Sequence, residues 1–156
     1  MDAAKGETLP LRSAEEVVLV RQATRRRSVD LGFSIIEQTK IVTAASELAR
    51  NTVIHGGGGS VLIEEVTNGI RKGIRLTFED RGPGIPQAER EKIFQRFYQT
   101  DPSRSKAKPG TGLGLAIVKH LAALHHARVV VGGEPGGGAV FRVSFPPPSR
   151  ITARPV

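Results

Sequence analysis

The chain has no cysteine, no tryptophan, a single tyrosine, a single methionine and only six phenylalanines among its 156 residues. The lack of cysteine excludes disulfides, thiolate metal sites and cysteine nucleophiles, and it suits a reducing compartment. Aromatic side chains are too scarce to stack nucleic-acid bases, which argues against a nucleic-acid role even though 23 lysines and arginines outnumber 15 carboxylates. No apolar run is long enough to span a bilayer, and the opening Met1-Asp2-Ala3-Ala4-Lys5-Gly6-Glu7 lacks the apolar core of a signal peptide. The expectation is a soluble, cytoplasmic protein with no membrane partner.

What is present is glycine, 18 residues of it, and positive charge, a formal net of +8 with a pI near 10.6. Such a balance attracts polyanions, whether nucleotide, nucleic acid, anionic lipid or an acidic partner protein, without choosing among them. The basic residues fall in Arg25-Arg26-Arg27, Arg71-Lys72, Arg104-Lys106-Lys108 and the tail. The length fits one domain that can bury a core without staples. The expected layout is a flexible N-terminus over 1–12, a single domain over 13–146 containing a lid at about 98–111, and a flexible tail over 147–156.

Two capping-box patterns, Ser13-Ala14-Glu15-Glu16 and Ser34-Ile35-Ile36-Glu37, open helices. The first is expected over about 14–29, ended by Asp30-Leu31-Gly32; the second carries Ile41, Ala44, Ala45, Leu48 and Val53 on one side until Gly56-Gly57-Gly58-Gly59 stops it. Val61 to Val66, a turn at Asn68-Gly69, and alternating Ile74, Leu76 and Phe78 predict a hairpin. Gln87 to Phe97 reads as a short helical piece, and Asp101 to Gly110 as an aperiodic basic lid. Leu113, Ile117, Leu121 and Leu124 space a helix, and Val129 to Val131 with Val140 to Phe145 make a final hairpin. Helices interleaved with hairpins predict an α+β two-layer sandwich, with helices on one face of a mixed, mostly antiparallel sheet. A doubly wound dinucleotide fold is disfavoured, because its glycine fingerprint belongs after the first strand.

Three punctuated motifs follow one another in order. Glu47, Asn51 and His55 stand four apart, which lines them along one helix face. A carboxylate there can act as general base on a hydroxyl, and an amide oxygen can enter a magnesium shell completed by phosphate and water. His55 suits a phosphate contact better than a metal, and only four histidines and no cysteine give no zinc site. Asp80-Arg81-Gly82-Pro83-Gly84 places a carboxylate where the chain leaves a strand, able to accept from an adenine amino group, although alone such a loop is usually a turn. Gly110-Thr111-Gly112-Leu113-Gly114-Leu115 lets backbone N–H groups approach phosphate at a helix start, and Arg104, Lys106 and Lys108 can neutralise the terminal phosphate.

These motifs, in this order, resemble the N, G1, F and G2 boxes of the GHKL (Bergerat-fold) ATPase and kinase superfamily, over roughly residues 14–146. The resemblance implies ATP and Mg2+ as cofactors, with magnesium on Asn51, adenine on Asp80, and phosphates on the lid and the G2 glycines. The candidate ATP-binding set is Asn51, His55, Asp80, Gly82, Gly84, Ile85, Arg104, Lys106, Gly110, Thr111, Gly112, Leu113, Gly114 and Leu115, with Glu47 catalytic. From Leu31 to Pro86, Thr43 to Asn51 and Glu79 to Pro86 resemble RsbT-type serine/threonine switch kinases, relatives of anti-sigma-factor kinases whose partners are STAS-domain proteins. From Glu89 onward, Ile93 to Tyr98, Gly110 to Lys119 and Glu134 to Gly138 are similar to the catalytic ATP-binding domain of sensor histidine kinases, with Ala139 where that family commonly has threonine. A natural hybrid and a recombined or engineered chimera both fit this split.

Three functions follow. The first is a serine/threonine protein kinase acting on a STAS-type antagonist. The second is a histidine-kinase-like catalytic domain, expected to lack an upstream helix pair with a phosphoacceptor histidine and so to work in trans. The third is a nucleotide-dependent anti-sigma binding module docking through its arginine-rich first helix. ATP, ADP and an acceptor protein are the expected partners, and a homodimer stays open.

Overall fold

The computed structural model describes residues 3–96, 98, 113–133 and 136–148. Strand β1 (Ala3–Leu11) leads into helices α1 (Ala14–Asp30) and α2 (Ile35–Ile54), then the hairpin β2 (Gly59–Asn68) and β3 (Arg71–Asp80). Two single-turn 3-10 helices (Gln87–Glu89 and Lys92–Phe94) precede α3 (Gly114–Leu124) and the closing hairpin β4 (Arg128–Gly132) and β5 (Val140–Phe145). The expected α+β two-layer architecture is present. The five strands run in the order β1-β2-β3-β5-β4, and every described ladder is antiparallel.

Period-two alternation gives the sheet one apolar face. Val61 stands opposite Phe78, Ile63 opposite Leu76, and Phe78 opposite Phe141, and all are buried. Against this face lie Ile41, Ala44, Ala45, Leu48 and Ala49 of α2, whose small residues let the helix approach closely, with Val17 and Val20 of α1 and Val118 of α3 beside them. On the other face Glu64 pairs with Arg75 at 2.8 Å and the exposed Arg142 donates to the buried Thr77, so polar groups there are satisfied within the sheet.

Three expectations are corrected. Residues 3–11, expected within a flexible N-terminus, form the edge strand, paired with β2 from Ala3↔Val66 to Leu11↔Gly59. Leu11 is fully buried and Leu9 packs on the core, while Pro10, which has no N–H to donate, sits where an edge strand tolerates it. The box at Ser13 does not close: Ser13 makes no side-chain cap bond, and Glu16 instead accepts from the backbone N–H of Arg12 at 2.7 Å and from its guanidinium at 3.0 Å. The helical piece expected over Gln87 to Phe97 is two separate 3-10 turns over its described residues, because three-residue segments close too few bonds to nucleate an α-helix; Ile93 is buried in the core and Phe94 packs against it.

The arginine run also splits. Arg27 turns inward and bridges Glu7 of β1 at 3.1 Å and Glu65 of β2 at 3.2 Å, tying α1 across the sheet edge. At the far end of α3, His125 meets the ring of Phe145 edge-on with centroids 5.8 Å apart. Burial, and to a lesser extent Lys40, holds its imidazole below the ordinary value of 6.5.

Candidate functional site

Helix α2 forms the floor of the site, and its position follows from its start. At its N-terminus Ser34 accepts from Glu37 N–H at 3.1 Å while the Glu37 carboxylate accepts from Ser34 N–H at 3.0 Å. The helix then runs 20 residues, so Glu47 and Asn51 stand one turn apart on its half-buried side. His55 is the exposed C-cap residue.

Beyond that cap the chain turns back tightly. Gly56 N–H donates to the Asn51 carbonyl at 3.1 Å, and a Cβ on Gly56 would lie 2.3 Å from Asp80 Cβ and 2.6 Å from its Oδ2. Only hydrogen fits between the end of α2 and the end of β3, so the amide helix and the carboxylate strand meet at this glycine. Asp80 is fixed from the other side as well. Its Oδ1 accepts from Gly82 N–H and from Ala139 N–H, each at 2.9 Å, and its backbone N–H donates to Ala139 carbonyl at 3.0 Å. Gly138, with φ of 88°, lies so close that a Cβ there would stand 2.0 Å from the Asp80 carbonyl oxygen. These bonds leave Oδ2 as the oxygen able to accept from an incoming donor.

Gly82 and Gly84 continue the loop, Gly84 at φ 79°, and Ile85 carbonyl accepts from Arg90 Nε at 3.2 Å. Arg90 also donates to Gly133 carbonyl at 2.8 Å, and Gly136 N–H to Pro83 carbonyl at 3.0 Å, so the β4–β5 turn buttresses the Asp80 loop. Next to it, Tyr98 donates to the Glu89 carboxylate, and that bond raises the phenol above its ordinary value of 10.0. Lys119 of α3 lies 5.3 Å from the centre of the Phe94 ring.

At the opposite end of the site α3 begins with Leu113 as N-cap and no side-chain cap bond. As at any α-helix start, its first-turn N–H groups have no intrahelical partner and can face an anion. A Cβ on Gly114 would stand 2.8 Å from Glu47 Oε2, which puts the carboxylate beside the positive end of the helix. Leu115 packs against the core. The structure thus sets Glu47 beside Gly114 at the start of α3, and Gly56, bonded to the Asn51 carbonyl, against Asp80 at the end of β3. Arg104, Lys106, Gly110, Thr111 and Gly112 lie outside the described residues, as does the expected lid apart from Tyr98.

Sequence reasoning missed Gly56, Gly138 and the Ala139 N–H. A four-glycine run reads as a helix stop, and Ala139 is 59 residues from the carboxylate it holds. No local pattern encodes that pairing.

Residues 36–149 match the family described as histidine kinase-, DNA gyrase B- and HSP90-like ATPase. The chain belongs to this family. Its relatives fall on both sides of the split seen in the motifs. The sensor-like histidine kinase SenX3 of Mycobacterium tuberculosis is 40% identical over 111 residues, which is 70% of this chain and 27% of SenX3. The serine/threonine-protein kinase RsbT of Bacillus subtilis is 38% identical over 106 residues, 68% of this chain and 73% of RsbT. The chain therefore spans about a quarter of the sensor kinase but most of the switch kinase. Among solved structures, the mycobacterial sensor histidine kinase MprB shares the fold at a TM-score of 0.59 and 23% identity, covering 94% of this chain and 100% of that one. Full-length ShkA in complex with AMPPNP aligns at a TM-score of 0.60 and 26% identity over 96% of this chain and 33% of ShkA. Residues 36–149 form a domain of this ATPase family, and among the described residues no helix is long and apolar enough to cross a membrane.

Proposed function

We propose that this domain is an ATP-dependent protein kinase transferring the γ-phosphate to serine or threonine of a regulatory partner of STAS type, as in stress-switch and anti-sigma systems. The observation that carries this reading is the Glu47 carboxylate against Gly114 at the start of α3, one helical turn from Asn51. A base, an amide oxygen and a free helix N-terminus share one edge of α2 there. The coverage of RsbT favours a hydroxyl acceptor.

In this reading Asp80 Oδ2 accepts from the adenine amino group while Gly82 and Ala139 N–H hold Oδ1 in place. Gly84 and Ile85 line the base, and the first N–H groups of α3, with Gly110, Thr111 and Gly112, receive the phosphates. Arg104 and Lys106 supply cationic contacts to the terminal phosphate, and His55 a further donor. Glu47 takes the proton of the acceptor hydroxyl as that oxygen attacks the γ-phosphorus; the bond to the bridging oxygen breaks and ADP carries away the electron pair. Among the described residues no group of three or more histidines and carboxylates makes a self-sufficient metal cage, so the donor set fits a hard ion shared with phosphate oxygens and water. Asn51 would hold magnesium in that manner, the bound ion neutralising phosphate charge.

The test is transfer of labelled phosphate from ATP to a purified STAS-domain protein. Glu47→Ala should lower the transfer rate by about two orders of magnitude or more while changing ATP affinity by less than about threefold. Unchanged transfer would remove Glu47 as the base. A second reading, phosphorylation of a histidine in trans, rests on the sensor-kinase relatives and gives an acid-labile product in place of an acid-stable one.

A further inference from the structure

We propose that the outward face of α1 is a docking surface for an acidic protein partner. An outer helix of a two-layer domain ordinarily carries one apolar stripe, facing the core. In α1 that stripe is Val17, Val20 and Ala23, with Thr24 and Ser28 beside it, all buried. A second apolar set faces water: Val18, Leu19 and Val29 are 46, 55 and 53% exposed. Helical spacing puts Val18, Gln22, Arg25 and Val29 along one outward line. Beyond the Leu31–Ser34 turn, Ile35 and Ile36 at the start of α2 are 75 and 67% exposed, so five of the nine exposed large apolar side chains among the described residues fall within 18–36. They are clustered along the chain rather than scattered.

Charge selects the occupant. Arg27 is used internally, against Glu7 and Glu65, but Arg21, Arg25 and Arg26 are exposed and pair with no carboxylate among the described residues. A surface of apolar side chains interleaved with unpaired guanidinium groups is complemented by apolar side chains interleaved with carboxylates. A second copy is disfavoured, because it would bring together two faces rich in arginine on chains of net charge +8. A phosphate backbone would satisfy the arginines but leave Val18, Leu19 and Val29 without apolar partners, and the face has no aromatic ring for bases. The surface lies on the helix packed along α2, so a partner held there is next to the element carrying Glu47 and Asn51. Docking is independent of the kinase reading and is tested without turnover.

The probe is a synthetic helical peptide of leucine and glutamate, with leucines at i and i+4, titrated against the whole chain by fluorescence anisotropy. Polyglutamate of equal charge and phosphatidylglycerol vesicles are run in parallel. The wild type should bind the leucine–glutamate helix at least about tenfold more tightly than polyglutamate. The Arg21→Glu/Arg25→Glu/Arg26→Glu variant and the Val18→Ser/Leu19→Ser variant should each weaken that binding by about tenfold, with melting temperatures near wild type confirming the fold. Three results would overturn the proposal: equal binding to polyglutamate, binding only to vesicles, or no loss in either variant. A dimer seen by light scattering and abolished by Val18→Ser/Leu19→Ser would overturn it too, giving the face to a second copy.

Discussion

Asp80 is the residue around which the site is arranged, and its geometry is imposed by backbone rather than by side chains. One carboxylate oxygen is occupied by two N–H donors from separate segments, and the other faces the space kept open by Gly56. Gly56→Ala forces a methyl to within 2.3–2.6 Å of that carboxylate, so either Asp80 rotates or the end of α2 moves. The expected cost is about 1–3 kcal/mol of stability and a loss of ATP affinity of about tenfold or more, read by urea denaturation and calorimetry. Gly132→Ala is the matched control: a Cβ there meets nothing within 4 Å, and both quantities should stay near wild type. At this scale the motif residues were legible because four-residue spacing and a strand-ending aspartate are local signals. The residues that hold Asp80 were not, since Gly56, Gly138 and Ala139 act through contacts made only after the sheet has formed.

Among the elements, α1 and α2 start with the same sequence device and realise it differently. Both have serine followed three residues later by glutamate, yet only Ser34 and Glu37 exchange their bonds. At the first helix Arg12 draws Glu16 one residue further back, and the ion pair at 3.0 Å replaces the reciprocal cap. Ser34→Ala should therefore destabilise the domain by about 1 kcal/mol, and Ser13→Ala by less than about half of that, measured by denaturant midpoints at constant slope. Comparable losses would mean that both caps form in solution. Helix spans and both hairpins were readable because their apolar periods are long, and glycine closes α1, α2 and the first hairpin turn. β1 was hidden, because Pro10 interrupts its short alternation and its identity as a strand depends on β2 lying beside it. The mixed element in the sheet expectation also gives way to antiparallel pairing throughout the described ladders.

For the whole molecule, family rests on a match spanning residues 36–149, and the fold brings the end of α2 against Asp80 at Gly56 and its middle against the start of α3 at Gly114. The division between switch-kinase and sensor-kinase signatures, visible in the motifs, persists in the relatives. It does not divide the structure: α2 from the first half and α3 from the second meet at Glu47 and Gly114, and β5 pairs with β3 along its length. Core packing therefore crosses the junction. The central claim is that this shared core presents Asp80 to adenine, and the direct measurement is calorimetric titration of the intact chain with ATP and magnesium, beside Asp80→Asn. An asparagine there turns an N–H donor toward the donor amino group of adenine. The wild type should bind and the variant should bind at least about tenfold more weakly; absence of wild-type binding, or equal affinity in the two proteins, would contradict the account.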